Sequence, residues 1–347
     1  TTANHNVGVG YYALLANTTG NNSVAVGNYS LDANTTGYSN VAVGYNALTS
    51  NTTASSNTAV GDSALAVNTT GANNVGIGQS ALYANTTGAT NTAVGSRALD
   101  ANTTGSDNVA VGTYALTDAT TASGNTGVGY YSMVVNTTGA SNTGVGCYSL
   151  DANSTGGQNT AIGFKSLSSN TTAGANTAVG EEALFANTTG HSNTAIGKDS
   201  LQDNTTGDYH TALGMAALAN NTTSEQNTAV GYQALLTNTT GSYNTAVGVY
   251  ALRAQSTATH NVGIGYQTAY ALTTGPYNVA IGFNALVSGT TAEANVIIGK
   301  KAFDGCTTGN ENVCIGRYAG DWMSNSASGN LVLARNTSGG GNSETWI

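Results

Sequence analysis

With 347 residues, 46 of them Gly and only 7% charged, the chain does not carry an ordinary globular surface. Its hydrophobic fraction of 39% comes mostly from Ala and Val, so any core is thin. Eight basic against 17 acidic residues, a formal net charge of −9, leave no basic patch, which argues against nucleic acid and an anionic membrane as partners.

From the N-terminus onward a Val/Ile-Gly step recurs every 17 residues, at Gly10, Gly27, Gly44, Gly61, Gly78, Gly95 and Gly112. It continues without a slip through Gly129, Gly146, Gly163, Gly180, Gly197, Gly214, Gly231, Gly248, Gly265, Gly282, Gly299 and Gly316, which makes 19 anchored rungs. Leu333 falls one period later, in a degenerate final unit. Asn91-Thr92-Ala93-Val94-Gly95, Ala98-Leu99 and Asn102-Thr103-Thr104-Gly105 form a clean copy of the unit.

Segments such as Val41-Ala42-Val43-Gly44 alternate with period two and predict strands, and no helix is expected. The glycine that follows, and Asn-Thr-Thr-Gly about seven residues on, are turn chemistry. One coil is thus expected to hold two or three short strands joined by tight corners. An unbroken period means that each residue stacks on its own kind in the next unit, as in a solenoid. At ~4.8 Å per rung the stack would be roughly 95 Å long. Residues 1–320 read as this shaft, and 321–347 as a degenerate rung with a cap or linker. Trp322 and Trp346 are candidates to cover the open end, and Ser338-Gly339-Gly340-Gly341 reads as flexible.

The Asn column at Asn57, Asn74, Asn91 and Asn108 is expected to bond to itself or to the turn backbone. Small residues such as Ala59, Ala93 and Ala98 fit a narrow lumen, which would turn Val60, Ile77, Val94 and Val111 outward. An apolar stripe of that length calls for partner chains. The opposite assignment, Val and Leu inside, would allow a monomer. Thr126, Thr143, Thr160 and Thr177 dilute the stripe and weaken the oligomer.

Asn22-Ser23-Val24-Ala25-Val26-Gly27 resembles the head repeat of trimeric autotransporter adhesins, the YadA-like head. With the Asn-Thr-Thr-Gly segment, the unit also resembles repeats of bacterial and phage proteins that contain a tail-fibre domain. The likeness runs from about Asn6 to Gly316 and is specific at Val-Ala-Val-Gly; the adhesin repeat is shorter by about three residues. It implies an all-β, left-handed parallel β-roll, assembled as a homotrimer with the Val/Ile columns at the shared axis. The intramolecular chaperone of many tail fibres has no counterpart in 324–347. The expected function is a non-enzymatic structural shaft or adhesive fibre segment outside the cell, on a bacterial surface or a virion. A tail-fibre shaft carrying a receptor-binding surface is an alternative.

No catalytic, metal or cofactor site is expected. Cys147, Cys306 and Cys314 lack CxxC spacing and read as small buried or surface residues. His5, His191, His210 and His260 read as surface or turn histidines. Asp32, Asp100, Asp151 and Asp304 share a column but lie too far apart to pair. Glu181 and Glu182 beside Lys165 and Lys198 suggest an exposed charge ladder. Asn17, Asn34, Asn68, Asn85 and Asn102 match the N-glycosylation acceptor pattern, which turn chemistry also explains. Stacked Thr-Thr pairs raise an ice-binding face as a lesser alternative. Tyr11, Tyr12, Tyr114, Tyr130, Tyr131 and Tyr148 follow the anchor glycines, and there they either bind a cell-surface glycan or host receptor or cover the next rung. No apolar run reaches the ~20 residues that cross a bilayer, so no membrane insertion is expected. The chain opens inside a repeat with no signal peptide and reads as a mature or trimmed segment, its export inferred.

Overall fold

Each repeat places a β-branched or small triplet next to a glycine, and this triplet is the only extended segment that the coil forms. The computed structural model describes residues 2–334. The chain divides into two compact units, Thr1–Ala175 and Asn176–Ile347. Each is a parallel β-solenoid with ten three-residue strands, running from β1 (Val7–Val9) to β10 (Thr160–Ile162) in the first and from β11 (Thr177–Val179) to β20 (Leu331–Leu333) in the second. No helix occurs among the described residues, and so none long and apolar enough to cross a membrane.

The register follows the sequence period. Val24, Ala25 and Val26 pair in parallel with Val41, Ala42 and Val43, and in the second unit Thr194, Ala195 and Ile196 pair with Thr211, Ala212 and Leu213. Only the last step differs. Ile315 pairs with Leu333, so the position equivalent to Gly316 is Ala334 rather than Leu333, and the final coil holds one extra residue. Phe303 N still donates to Ala319 O while Thr307 N and Thr308 N donate to Asn325 O, which places the insertion between Ala319 and Asn325. Trp322 lies in that insertion and is 61% exposed, so it does not cover the core. Trp346 and residues 338–341 lie outside the described residues.

A coil has one strand, not two or three. The cause lies in three residues per coil with left-handed φ, non-glycine in most coils, such as Ser63 (56°), Leu65 (52°) and Asn73 (60°). This left-handed conformation bends the chain too sharply for a strand. Hydrogen bonding to both neighbouring coils persists through the bends: Leu65 N donates to Ala81 O of the next coil at 3.0 Å and Ser63 N to Tyr45 O of the preceding one at 2.8 Å.

The lumen holds small residues and one large one. Ala59, Ala64 and Leu65 are fully buried, as are their equivalents in most coils, while Val60 on the same strand stays partly exposed. Thus the Val/Ile column faces outward and the Leu column inward, which combines parts of both sequence-level assignments. Left-handed φ at Leu65 swings its side chain into the space that the small column leaves. A Cβ on Gly76 of the next coil would stand 3.4 Å from Leu65 Cγ. Burying the Leu is worth roughly 1.5–3 kcal/mol, more than the roughly 1–2 kcal/mol that its backbone strain costs.

Where one inner column changes size, another compensates. The longer Met133 takes a Leu position, and the small column there is Gly127 and Gly144. Ala269 vacates a Leu position, and buried Leu272, three residues on, supplies the missing bulk. Near the C-terminal end the small column widens to Ile297, Cys314 and Val332, buried Phe303 takes the Leu position, and Gly320 follows it there.

The anchor glycine is required twice over. Gly61 has φ of 136°, and a Cβ on it would sit 2.5 Å from Gly78 O of the next coil. Gly61→Ala should therefore lower stability by more than about 1 kcal/mol, read as a fall in the urea midpoint, whereas Asp62→Ala, on the exposed residue beside it, should leave the midpoint in place.

Candidate functional site: inner amide ladders and outward columns

Two columns of Asn side chains run inside the coils. In the first, Asn57 N donates to Asn40 Oδ1 at 3.0 Å, and Asn57 Nδ2 donates to Gly71 O at 3.0 Å. Asn91 Nδ2 also reaches Asn74 Oδ1 at 3.2 Å, so this column bonds both to itself and to the turn backbone. In the second, Asn68 Nδ2 donates to Gly71 O at 2.9 Å and to Asn51 Oδ1 at 3.1 Å. One turn carbonyl thus receives both amides and ties the turn to the strand entry.

This arrangement decides the Asn-Thr-Thr sites. Asn34, Asn68, Asn85 and Asn102 are fully buried with their amide nitrogens committed to hydrogen bonds. Asn17 is less buried, but its Nδ2 donates to Gly20 O and its Oδ1 accepts from Gly20 N. A sugar on any of these amides would displace a rung of the ladder, and in the folded coil the Asn holds the turn, as turn chemistry leads one to expect.

The ladder also shows where it is broken. Ala119 stands where the next Asn of the second column would be, and Asn102 Oδ1 is left buried without a partner. In the second unit Gln255 takes the position, its Nε2 donates to Ala258 O at 2.9 Å, and Asn238 Oδ1 is orphaned in the same way. A buried acceptor without a donor costs roughly 1–3 kcal/mol. Ala119→Asn should recover part of this and raise the thermal midpoint, while Ala101→Asn, on the half-buried residue beside Asn102 and outside the column, should not.

His210 replaces Asn in the first column and is buried, unlike the surface or turn histidine expected from its spacing. The period itself carried the signal, since His210 lies 17 residues after Asn193. Its ring imitates the amide: Nε2 donates to Ser224 O at 2.8 Å, and Nδ1 accepts from Asn227 N at 3.2 Å. Burial pulls its pKa down to about 4 from the usual 6.5. The neutral ring is therefore the folded form, and its contribution is complete above about pH 6.5 and is lost as pH falls toward 4. The loss is on the order of 3 kcal/mol. The gap in melting temperature between the natural chain and His210→Asn should widen in favour of the variant between pH 7 and pH 4.5.

The outward aromatics stack from coil to coil. Tyr11 and Tyr12 are exposed, with ring centroids 4.0 Å apart, and Tyr29 meets both edge-on. Tyr114, Tyr131 and Tyr148 form a partly buried column with centroids 4.9 and 5.7 Å apart, and exposed Tyr130 packs on Tyr131 at 4.4 Å. The six tyrosines read from the sequence therefore form two clusters, in which each ring both covers a neighbour and keeps an outward edge. A third column went unnoticed there: Tyr243, His260 and Tyr277 stack nearly parallel at 4.9 and 5.2 Å. Its signal was an aromatic residue just before the first-column Asn in three successive units.

The remaining candidates are ordinary. Lys198 Nζ lies 3.1 Å from Glu181 Oε2 and forms the exposed ion pair expected there. Asp304 does have a neighbour in its column, because Asp321 lies one coil on. Burial, and then a hydrogen bond to Asp321, raise its carboxyl pKa to about 6. Cys306 and Cys314 are buried free thiols, and burial pushes Cys314 up to about 12. Cys147 is a half-buried free thiol. Among the described residues no three His, Cys, Asp or Glu side chains come together to hold a metal. The first Thr of each pair spends its hydroxyl on the next coil, as Thr35 Oγ1 does on Thr52 O at 3.0 Å. No family model matches the chain, and no curated protein matches it.

Proposed function

We propose that the chain is a non-enzymatic structural shaft or adhesive fibre segment working outside the cell, a left-handed roll that assembles with copies of itself, three to a fibre. The observation that carries this reading is the two-sided strand. From β2 (Val24–Val26) onward each triplet buries only its middle residue, and the Val/Ile column stays open, with Ile77 39% and Ile196 42% exposed. The stripe recurs in every coil of both units, beyond what a lone soluble chain normally leaves bare. Packing three such stripes around one axis would cover it. The likeness of Asn-Ser-Val-Ala-Val-Gly to adhesin heads supports the number three.

The mechanism is mechanical. Backbone hydrogen bonds link coil to coil, and loads along the stack fall on many of them together. A second reading, a surface that binds glycan or a host receptor, rests on the outward edges of the tyrosine clusters and the Tyr243 column. A glycan array probed with the assembled chain separates this from a passive spacer, and ice recrystallisation inhibition tests the ice-binding alternative.

Light scattering on the natural chain should give three times the chain mass. Ile77→Lys with Val94→Lys should shift it toward a single chain, since unpaired charge on a buried stripe is costly. A natural chain that runs as a stable single chain would falsify the trimer.

A further inference from the structure

The second Thr of the Asn-Thr-Thr turn behaves unlike its neighbours. It is Thr without exception from Thr19 to Thr172 in the first unit and from Thr189 to Thr308 in the second, once in every 17 residues. The positions around it are not so strict. The amide position before the pair also takes Ala119, Gln255, Leu272, Gly289 and Cys306. The first Thr gives way to Ser154 and Ser256, and the glycine after the pair to Ala54 or Ser224.

Nothing inside the coil demands this constancy. Every one of these Thr residues is exposed. The hydroxyl of the preceding Thr is bonded to the next coil, as in Thr69 Oγ1 to Thr86 O at 3.0 Å and Thr86 Oγ1 to Thr103 O at 2.9 Å. By contrast Thr70, Thr87 and Thr104 join the ladder through their backbone N–H groups alone. The column is thus a file of free secondary hydroxyls, one per coil, presented by the same turn each time.

A ligand read by several groups at once would meet a different surface on each coil, because the flanking pairs Ala72-Asn73, Ala89-Thr90 and Ser106-Asp107 differ from one another. A modifying enzyme that reads the turn backbone and its one hydroxyl would meet the same surface on each. Only 7% of the chain's residues are charged, so sugars on this column would add to a surface that carries little charge.

We propose that this column is an O-glycosylation surface, with the Thr hydroxyls, rather than the buried Asn amides of the same turns, as sugar acceptors. The donor is a nucleotide-activated sugar and the catalyst a separate transferase. Thr Oγ1 attacks the anomeric carbon, and a C–O bond forms as the bond from that carbon to the diphosphate oxygen breaks. The nucleoside diphosphate leaves with the bonding pair, and the hydroxyl proton passes to the transferase's general base. No oxidation state changes.

The test is site-localising fragmentation mass spectrometry on the chain isolated from the cells that produce it. Sugars on Thr70, Thr87 and Thr104 are expected, with Asn68, Asn85 and Asn102 bare. Unmodified threonines at all three positions would overturn the proposal. A sugar-free recombinant chain carrying Thr70→Val, Thr87→Val and Thr104→Val should keep the melting midpoint of its parent; a large fall would show that the hydroxyls serve the turn and would equally overturn it. A bare chain that still assembles removes the sugars and leaves the shaft reading standing.

Discussion

Coil-to-coil backbone hydrogen bonding at strand spacing governs everything else in this molecule. In the first unit Val24 N reaches Asn40 O and Gly27 N reaches Val9 O, each at 2.8 Å, and in the second Thr194 N reaches His210 O and Gly197 N reaches Val179 O at the same distance. With the coils held this close, an extra atom at a contact position has nowhere to go. The anchor glycines stand against the next coil's carbonyl, and any insertion has to bulge outward. The one insertion among the described residues does so, between Ala319 and Asn325 near the C-terminal end.

Close stacking makes each coil the template for its neighbour, and this explains the pattern of tolerance inside. The lumen accepts changes of size only in compensating sets, as Met133 does beside Gly127 and Gly144, or Leu272 beside Ala269. Polar substitutions obey a similar rule. His210 succeeds in an Asn position because its two ring nitrogens supply one donor and one acceptor where the amide had them. Ala119 supplies neither, and a buried carbonyl oxygen on Asn102 goes unpaired. The inner amides thus act as a register device, since a slip would strand many buried donors and acceptors at once.

The outer face is released from these demands, and it is there that function has room. The Val/Ile stripe, the tyrosine clusters and the free Thr hydroxyls occupy different columns of the same coil. A shaft that self-associates along one column can display chemistry along the others. Aromatic stacking such as Tyr243, His260 and Tyr277 follows from the strand spacing itself, since rings in one column fall at contact distance without further design.

By itself the sequence determined the period, the parallel stacking of like on like, the strand at each Val-Ala-Val-Gly segment and the bonding of the Asn57 column, because an unbroken fixed repeat admits few other folds. It also placed small residues inside and Val outside, from the narrowness of the lumen. Only the tertiary structure decided that Leu65 and its equivalents turn inward, because that depends on left-handed φ values at non-glycine residues, which local propensity argues against. The fate of the Asn-Thr-Thr turns was likewise invisible in one dimension. A motif names an acceptor by spacing, but whether its Asn or its Thr meets solvent is settled by which face of the turn closes on the next coil. In this fold the amide closes inward, and the second hydroxyl is left outside.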